Sequence, residues 1–166
     1  MLPRVLKGWA VYIDGRGYIG RAETAKLPDL NVQTDEYRGS GMDAAVDLDM
    51  GMEKLDGTFT LADYDPEVIK LFGLFSANTQ IVLRGAIQRQ GEQAVPVEVR
   101  MQGGVKSLSR GDWQQGQRSS IDVGYNANRY SEKIAGETVV DIDIINMKRV
   151  IGGVDQLQSM RSALGA

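Results

Sequence analysis

Between Val139 and Met147 apolar and acidic side chains alternate, with Val140, Ile142 and Ile144 set against Asp141 and Asp143. A period of two suits an extended strand with one buried face and one wet face, and no helix can segregate such a pattern. The same alternation recurs from Ala44 to Met50, where Val46, Leu48 and Met50 interleave with Asp47 and Asp49, and it continues from Leu55 to Leu61. Twenty glycines against four prolines supply the turns that many short strands require. These features point to a mainly β chain.

The remaining strands follow from the same rule. Ala10–Ile13, an Asp14–Gly17 turn and Tyr18–Lys26 form a first hairpin, because Asp-Gly tolerates the positive φ of tight hairpin turns. Further strands are expected over Asn31–Arg38, Ile81–Gln90, Ala94–Ser107, Ser119–Ser131 and Glu137–Val150. Gln88–Gln93 reads as a polar hairpin loop. One or two short helices complete the chain. Asp65-Pro66 looks like a cap followed by proline at the first helical position, with Val68, Ile69, Leu71, Phe72 and Phe75 as the apolar face. A second helix, about 154–164, is expected to be capped by Asp155 and to present Val154, Leu157, Met160 and Leu164, with Gly165 in the left-handed position that ends it.

Chemistry is sparse. The chain has no cysteine and no histidine, which removes disulfides, thiolate nucleophiles, the commonest general base and the commonest metal ligand. An enzyme would have to work with carboxylates, Lys, Tyr or Ser. The Gly15-Arg-Gly-Tyr-Ile-Gly20 spacing matches a dinucleotide fingerprint in form, but it joins two strands instead of opening a helix. Asp47 with Asp49, and Asp141 with Asp143, have a spacing that alternating outward residues produce without any metal. No catalytic residue, cofactor or metal is therefore assigned. No run approaches the roughly 18 apolar residues of a membrane span, Met1–Lys7 lacks the apolar core of a secretory signal, and the missing cysteines suit a reducing cytoplasm.

Charge is unevenly placed. From Asp35 to Glu67 ten carboxylates face only Arg38 and Lys54, a local charge of −8, so the rest of the chain carries +5 against −3 overall. Such an imbalance serves as a solvated face, as one half of a complementary contact, or as a wall that repels a polyanion.

Four motifs in register carry a family resemblance. They are Leu27-Pro-Asp-Leu30 running into Glu36-Tyr-Arg-Gly-Ser-Gly-Met42; Gly111-Asp-Trp113; Val140-Asp-Ile-Asp-Ile-Ile-Asn-Met147; and Gly153-Val-Asp-Gln-Leu157. In order and spacing they resemble the major tail tube protein of contractile-tailed bacteriophages and of R-type pyocins, over essentially all 166 residues. The resemblance implies a single β-sandwich or barrel-like tail tube domain, and subunits that form hexameric rings stacked into a DNA-conducting tube. It implies further partners in the sheath, baseplate, tail terminator and tape measure proteins, and in DNA passing through the lumen. The location is the virion tail, assembled in the host cytoplasm, with no membrane.

On this reading a hairpin at about 40–62 projects from the domain, and Val46, Leu48, Met50, Trp113, Leu157, Met160 and Leu164 are expected at subunit interfaces. Asp35, Glu36, Asp47, Asp49 and Glu53 are expected on or near the lumen, because a conduit must not bind phosphate. A pyocin or type VI-like tube subunit shares the fold and the lack of chemistry. A monomeric ligand-binding β-barrel, or a glycosidase working with carboxylates alone, is the competing class and predicts a closed pocket.

Overall fold

The computed structural model describes residues 1–73, 75 and 78–166. In chain order the elements are β1 (Val5–Ile13), β2 (Arg16–Gly17), β3 (Ala22–Lys26), β4 (Val32–Tyr37), β5 (Val46–Met52), β6 (Leu55–Leu61), α1 (Pro66–Ile69), β7 (Thr79–Gln88), β8 (Val95–Arg110), β9 (Ile121–Ile134), β10 (Glu137–Asp143), β11 (Lys148–Ile151), β12 (Val154–Asp155) and α2 (Gln158–Ala163). The architecture is mainly β, as the alternation requires.

One antiparallel path runs β12-β11-β10-β9-β8-β7-β1-β2. The long strand β9 gives this sheet a branch. One of its edges pairs with β8 from Val97↔Ile134 to Arg110↔Ile121, while the other is shared end to end. Its first half pairs with β6, from Leu61↔Ile121 to Leu55↔Ala127, and its second half with β10, from Asp143↔Arg129 to Glu137↔Ile134. Strand β3 adds to β6 alone. The β6–β3 arm folds over the body, so that Leu55, Phe59 and Leu61 of β6 join Val11, Leu83, Met101, Tyr125 and Tyr130 in one apolar cluster. The result is barrel-like, with an open seam between β1 and β3.

Register fixes which side chains enter that core. One ladder across the sheet reads Ile13, Ile81, Met101, Tyr130, Ile142 and Arg149. Directly opposed residues share a face, so five apolar side chains stack and the sixth position is a buried cation. Fully burying each large apolar side chain contributes about 1.5–3 kcal/mol. The neighbouring ladders, one residue away, point outward. They include Tyr12, Val82, Arg100, Ser131 and Asp141, and Gln80, Gln102, Arg129, Asp143 and Lys148.

Several boundaries differ from the sequence expectation. The Asp14-Gly15 turn forms with positive φ at both residues, 48° and 82°, but only Arg16–Gly17 returns along β1, and β3 pairs with β6 instead. The projecting hairpin is made of β4 and β5, residues 32–52, and not of residues 40–62; Leu55–Leu61 is a core strand whose odd residues are buried. Alternation alone could not separate the two, because both strands follow it. Asp65 does cap α1, accepting a hydrogen bond from the Glu67 amide at 2.9 Å, but the helix has four residues. Beyond it Phe72 makes a parallel bridge to Val105, and the chain turns at Gly73 with φ 77°. Of its expected apolar face Val68 is buried, while Phe72 and Phe75 remain exposed.

The expected Glu137–Val150 strand is two strands. Asp143 accepts hydrogen bonds from the Asn146 amide at 3.2 Å and side chain at 2.8 Å, and Met147 takes φ 53°, so Ile144–Met147 is a turn. Aspartate and asparagine compete with the ladder for backbone groups, and here they win. The C-terminal helix is also shorter than expected. Val154 and Asp155 pair with β11, and α2 begins at Gln158 with no side-chain cap at Leu157. Asp155 serves as an anchor, accepting from the Leu157 amide at 3.1 Å and from Arg161 at 2.6 Å.

Candidate assembly surfaces

The β4–β5 hairpin is a sheet by itself. Its pairs are Thr34↔Asp49, Asp35↔Leu48, Glu36↔Asp47 and Tyr37↔Val46. Since opposed residues share a face, Thr34, Glu36, Asp47 and Asp49 form one side, and Asp35, Tyr37, Val46, Leu48 and Met50 form the other. The first side is acidic and the second is apolar. The register thus separates Asp35 from the other acids with which the charge count had grouped it, because adjacent residues of a strand point to opposite faces. Glu53 lies just past the hairpin, where its amide donates to the Asn31 carbonyl at 3.0 Å.

The apolar side has no cover. Tyr37, Val46, Leu48 and Met50 are 45–59% exposed, unusually much for four neighbouring large side chains. Strong β formers keep this ribbon extended, yet a two-stranded hairpin alone is marginal in water. What holds its base is one ion pair. Arg149 Nη2 donates to Asp49 Oδ2 at 2.9 Å, and the Gly51 amide donates to Asp49 Oδ1 at 2.8 Å. The Gly51 amide, and then the Arg149 guanidinium, hold the Asp49 carboxyl below its ordinary range. Asp49 is therefore a tether to the body, and Glu36 and Asp47 are the acids on that face without an ionic partner among the described residues. Arg149, only 7% exposed, was invisible to sequence reasoning. Its one signal is that it occupies an inward position of an alternating strand.

Beside the tether, Met50, Met52, Ile142, Ile144, Met147, Leu157 and Met160 line a groove between β5, the β10–β11 turn and α2. Helix α2 has no buried residue; Leu157 is half-buried, and Met160 and Leu164 are exposed. It is held by Arg161, which bridges Asp155 and the Met147 carbonyl, the latter at 3.0 Å. The structure brings Met50, Leu157 and Met160 to this one groove, while Leu164 lies outside its lining. Trp113 is elsewhere, in the loop between β8 and β9. It is 87% exposed and touches Tyr64 edge-on, with ring centroids 6.3 Å apart.

The arrangement offers little for catalysis or ligation. Among the described residues no group of three Asp or Glu converges as a metal site would require, and no helix is long and apolar enough to cross a membrane. The strongly shifted tyrosines have structural causes. Burial, then the adjacent Asp65 carboxylate, raises Tyr18 to about 12, and burial alone raises Tyr125.

Comparison with known proteins agrees with these surfaces. The family model "Phage tail tube protein FII" matches residues 3–165. The chain is 30% identical over 171 residues to the tail tube protein of Escherichia phage P2, covering 99% of this chain and 98% of that one. It is 25% identical over 147 residues to the major tail tube protein of Serratia phage KSP20, covering 87% and 85% respectively. Among solved structures, the sheath/tube terminator of the PVC extracellular contractile injection system in its extended state superposes with a TM-score of 0.60 at 12% identity, over 80% of this chain and 98% of that one. A family match across almost the whole chain, on a fold that leaves its apolar hairpin and terminal helix uncovered, has one consequence: the chain belongs to the phage tail tube protein FII family and is a structural tail tube subunit.

Proposed function

We propose that this subunit assembles into hexameric rings that stack into the inner tube of a contractile phage tail, and that DNA passes through the lumen during ejection. The observation that carries the reading is the β4–β5 hairpin, a ribbon with one apolar and one acidic side that the chain's own core does not cover. An exposed apolar strand pair is an aggregation hazard in a monomer and an asset in an ordered polymer. Heterologous contacts between copies close into rings or continue as filaments. In the tube, Glu36 and Asp47 face or border the lumen, where negative charge keeps phosphates from binding; Glu53 lies near them at the hairpin base. Leu157, Met160, Leu164 and Trp113 meet neighbouring copies.

The tube works without turnover chemistry. Its outer partners are a sheath and a tube terminator, as in the injection system whose terminator shares this fold. A baseplate starts it and a tape measure protein sets its length. Subunits assemble in the host cytoplasm. Electron microscopy and sedimentation of concentrated protein, with and without a tail-tip seed, test the reading. Rings or tubes are expected; a stable monomer at every salt concentration, even when seeded, overturns it.

A further inference from the structure

The main sheet has two ends, and they are not alike. At the β11 end the Asp49–Arg149 pair fixes the base of the hairpin. At the β1 end the barrel is open. Strand β1 pairs with β7 along one edge, but its other edge pairs only at Tyr12 and Ile13, leaving Val5–Ala10 without a strand partner. Across the gap β3 pairs with β6 alone. Between these two edges lies a groove of about 380 Å³, with Leu6 and Trp9 on one wall, Thr24 and Ala25 on the other, and Leu83 and Val99 at its floor. Open edges beside an apolar floor suit β-strand addition, where backbone hydrogen bonds give affinity and alternate side chains fill the groove.

We propose that this seam receives the β4–β5 hairpin of a second copy. The inference rests on the assembly reading and names the contact by which it proceeds. Length matches: β4 has six residues and β5 seven, against six residues of open β1 edge. Polarity matches on both faces. The Tyr37, Val46, Leu48 side turns into the apolar groove, and the Glu36, Asp47 side lies beside the outward face of β1 and β7. There Lys7 and Arg84 are the nearest cations, and neither has a carboxylate partner among the described residues; Arg84 rests over the Tyr12 ring at 5.1 Å. Unpaired acids on the donor thus meet unpaired cations on the acceptor. Because donor and acceptor occupy opposite ends of one sheet, each copy gives at one end and receives at the other. Such a contact is heterologous and propagates, and it removes the open edges.

Cysteine pairing tests the contact directly, since the chain has no cysteine of its own. Leu48→Cys in one preparation is mixed with Leu6→Cys in another, assembled, and oxidised. Both positions are exposed in the subunit, so folding is preserved. A disulfide-linked dimer is expected from this mixture and is expected to be lost when Met160→Cys replaces Leu6→Cys. As a second measurement, Leu6→Glu should raise the concentration needed for assembly roughly tenfold or more. Wild-type tubes whose Leu48→Cys and Leu6→Cys mixture yields no dimer overturn the contact and leave the tube standing. Preferential pairing with Met160→Cys moves the hairpin to the α2 groove of the neighbour and overturns it equally. Wild-type protein that forms no assembly overturns the underlying reading, and the contact with it.

Discussion

Arg149 ends a ladder of buried apolar side chains, and a single carboxylate from the hairpin answers its charge. Its Nε is buried with no hydrogen-bond partner, so the site is already imperfectly satisfied. Asp49→Asn should weaken the pair and loosen the hairpin, seen as faster amide exchange over residues 32–52 with the core strands unchanged. The pH dependence has a definite sign. Asp49 has a folded pKa below its unfolded value of about 3.9, so the native state holds fewer protons and the tether is fully present above that value. It is lost as pH falls through the lower, folded value. Hairpin exchange in the native protein and in Asp49→Asn should therefore differ at neutral pH and converge in strong acid; equal exchange at neutral pH would remove the tether. Gly103 presents a different kind of constraint. It sits at the register shift where β8 and β9 approach most closely, and a methyl group there would collide with the Asn126 carbonyl oxygen, a backbone atom that cannot turn aside. Gly103→Ala should cost about 3 kcal/mol in denaturant unfolding, near the upper end of ordinary overpacking.

At the scale of elements, the contrast between β5 and β6 is instructive. Both are seven-residue strands with alternating side chains, yet β6 enters the core and β5 leaves it. A charge at Leu61 would be buried among apolar neighbours, whereas a charge at Leu48 or Met50 would meet water in the free subunit. Leu48→Asp and Met50→Asp should accordingly leave the melting temperature of the isolated subunit within a few degrees of native, since exposed substitutions rarely exceed about 0.5 kcal/mol. Tube growth should stop, because an unpaired charge in a dry contact costs several kcal/mol. Calorimetry beside electron microscopy reads both halves of the claim. An unfolded subunit would assign these side chains to its own core.

For the whole molecule the relevant quantity is the field along the channel. Glu36 and Asp47 share a face, lack ionic partners among the described residues, and recur in every copy of every ring. Glu36→Lys with Asp47→Lys should leave the subunit folded, since solvated charges contribute little to stability. Ejection from particles carrying the variant should slow and show a strong salt dependence, because each layer would then hold phosphates. Normal ejection at low salt would place these acids away from the lumen.

Alternation, glycine-rich turns and the four motifs in register were enough to establish a mainly β chain and its family, because strand periodicity and turn chemistry are local properties. They also placed Asp47 and Asp49 on one face and Asp65 at a helix start, for the same reason. What local pattern could not decide was pairing. Val46–Met52 and Leu55–Leu61 carry the same signal, and only the choice of partner strand makes one a ribbon and the other a wall of the core. Pairing likewise put Asp35 opposite Leu48 and so on the apolar side, away from the acids beside it in sequence. The Asp143–Asn146 turn cut the last strand in two. Arg149 became the anchor of the hairpin through a contact 100 residues apart in the chain. Register and long-range contact are set by the packing of the whole sheet, and no window of neighbouring residues contains them.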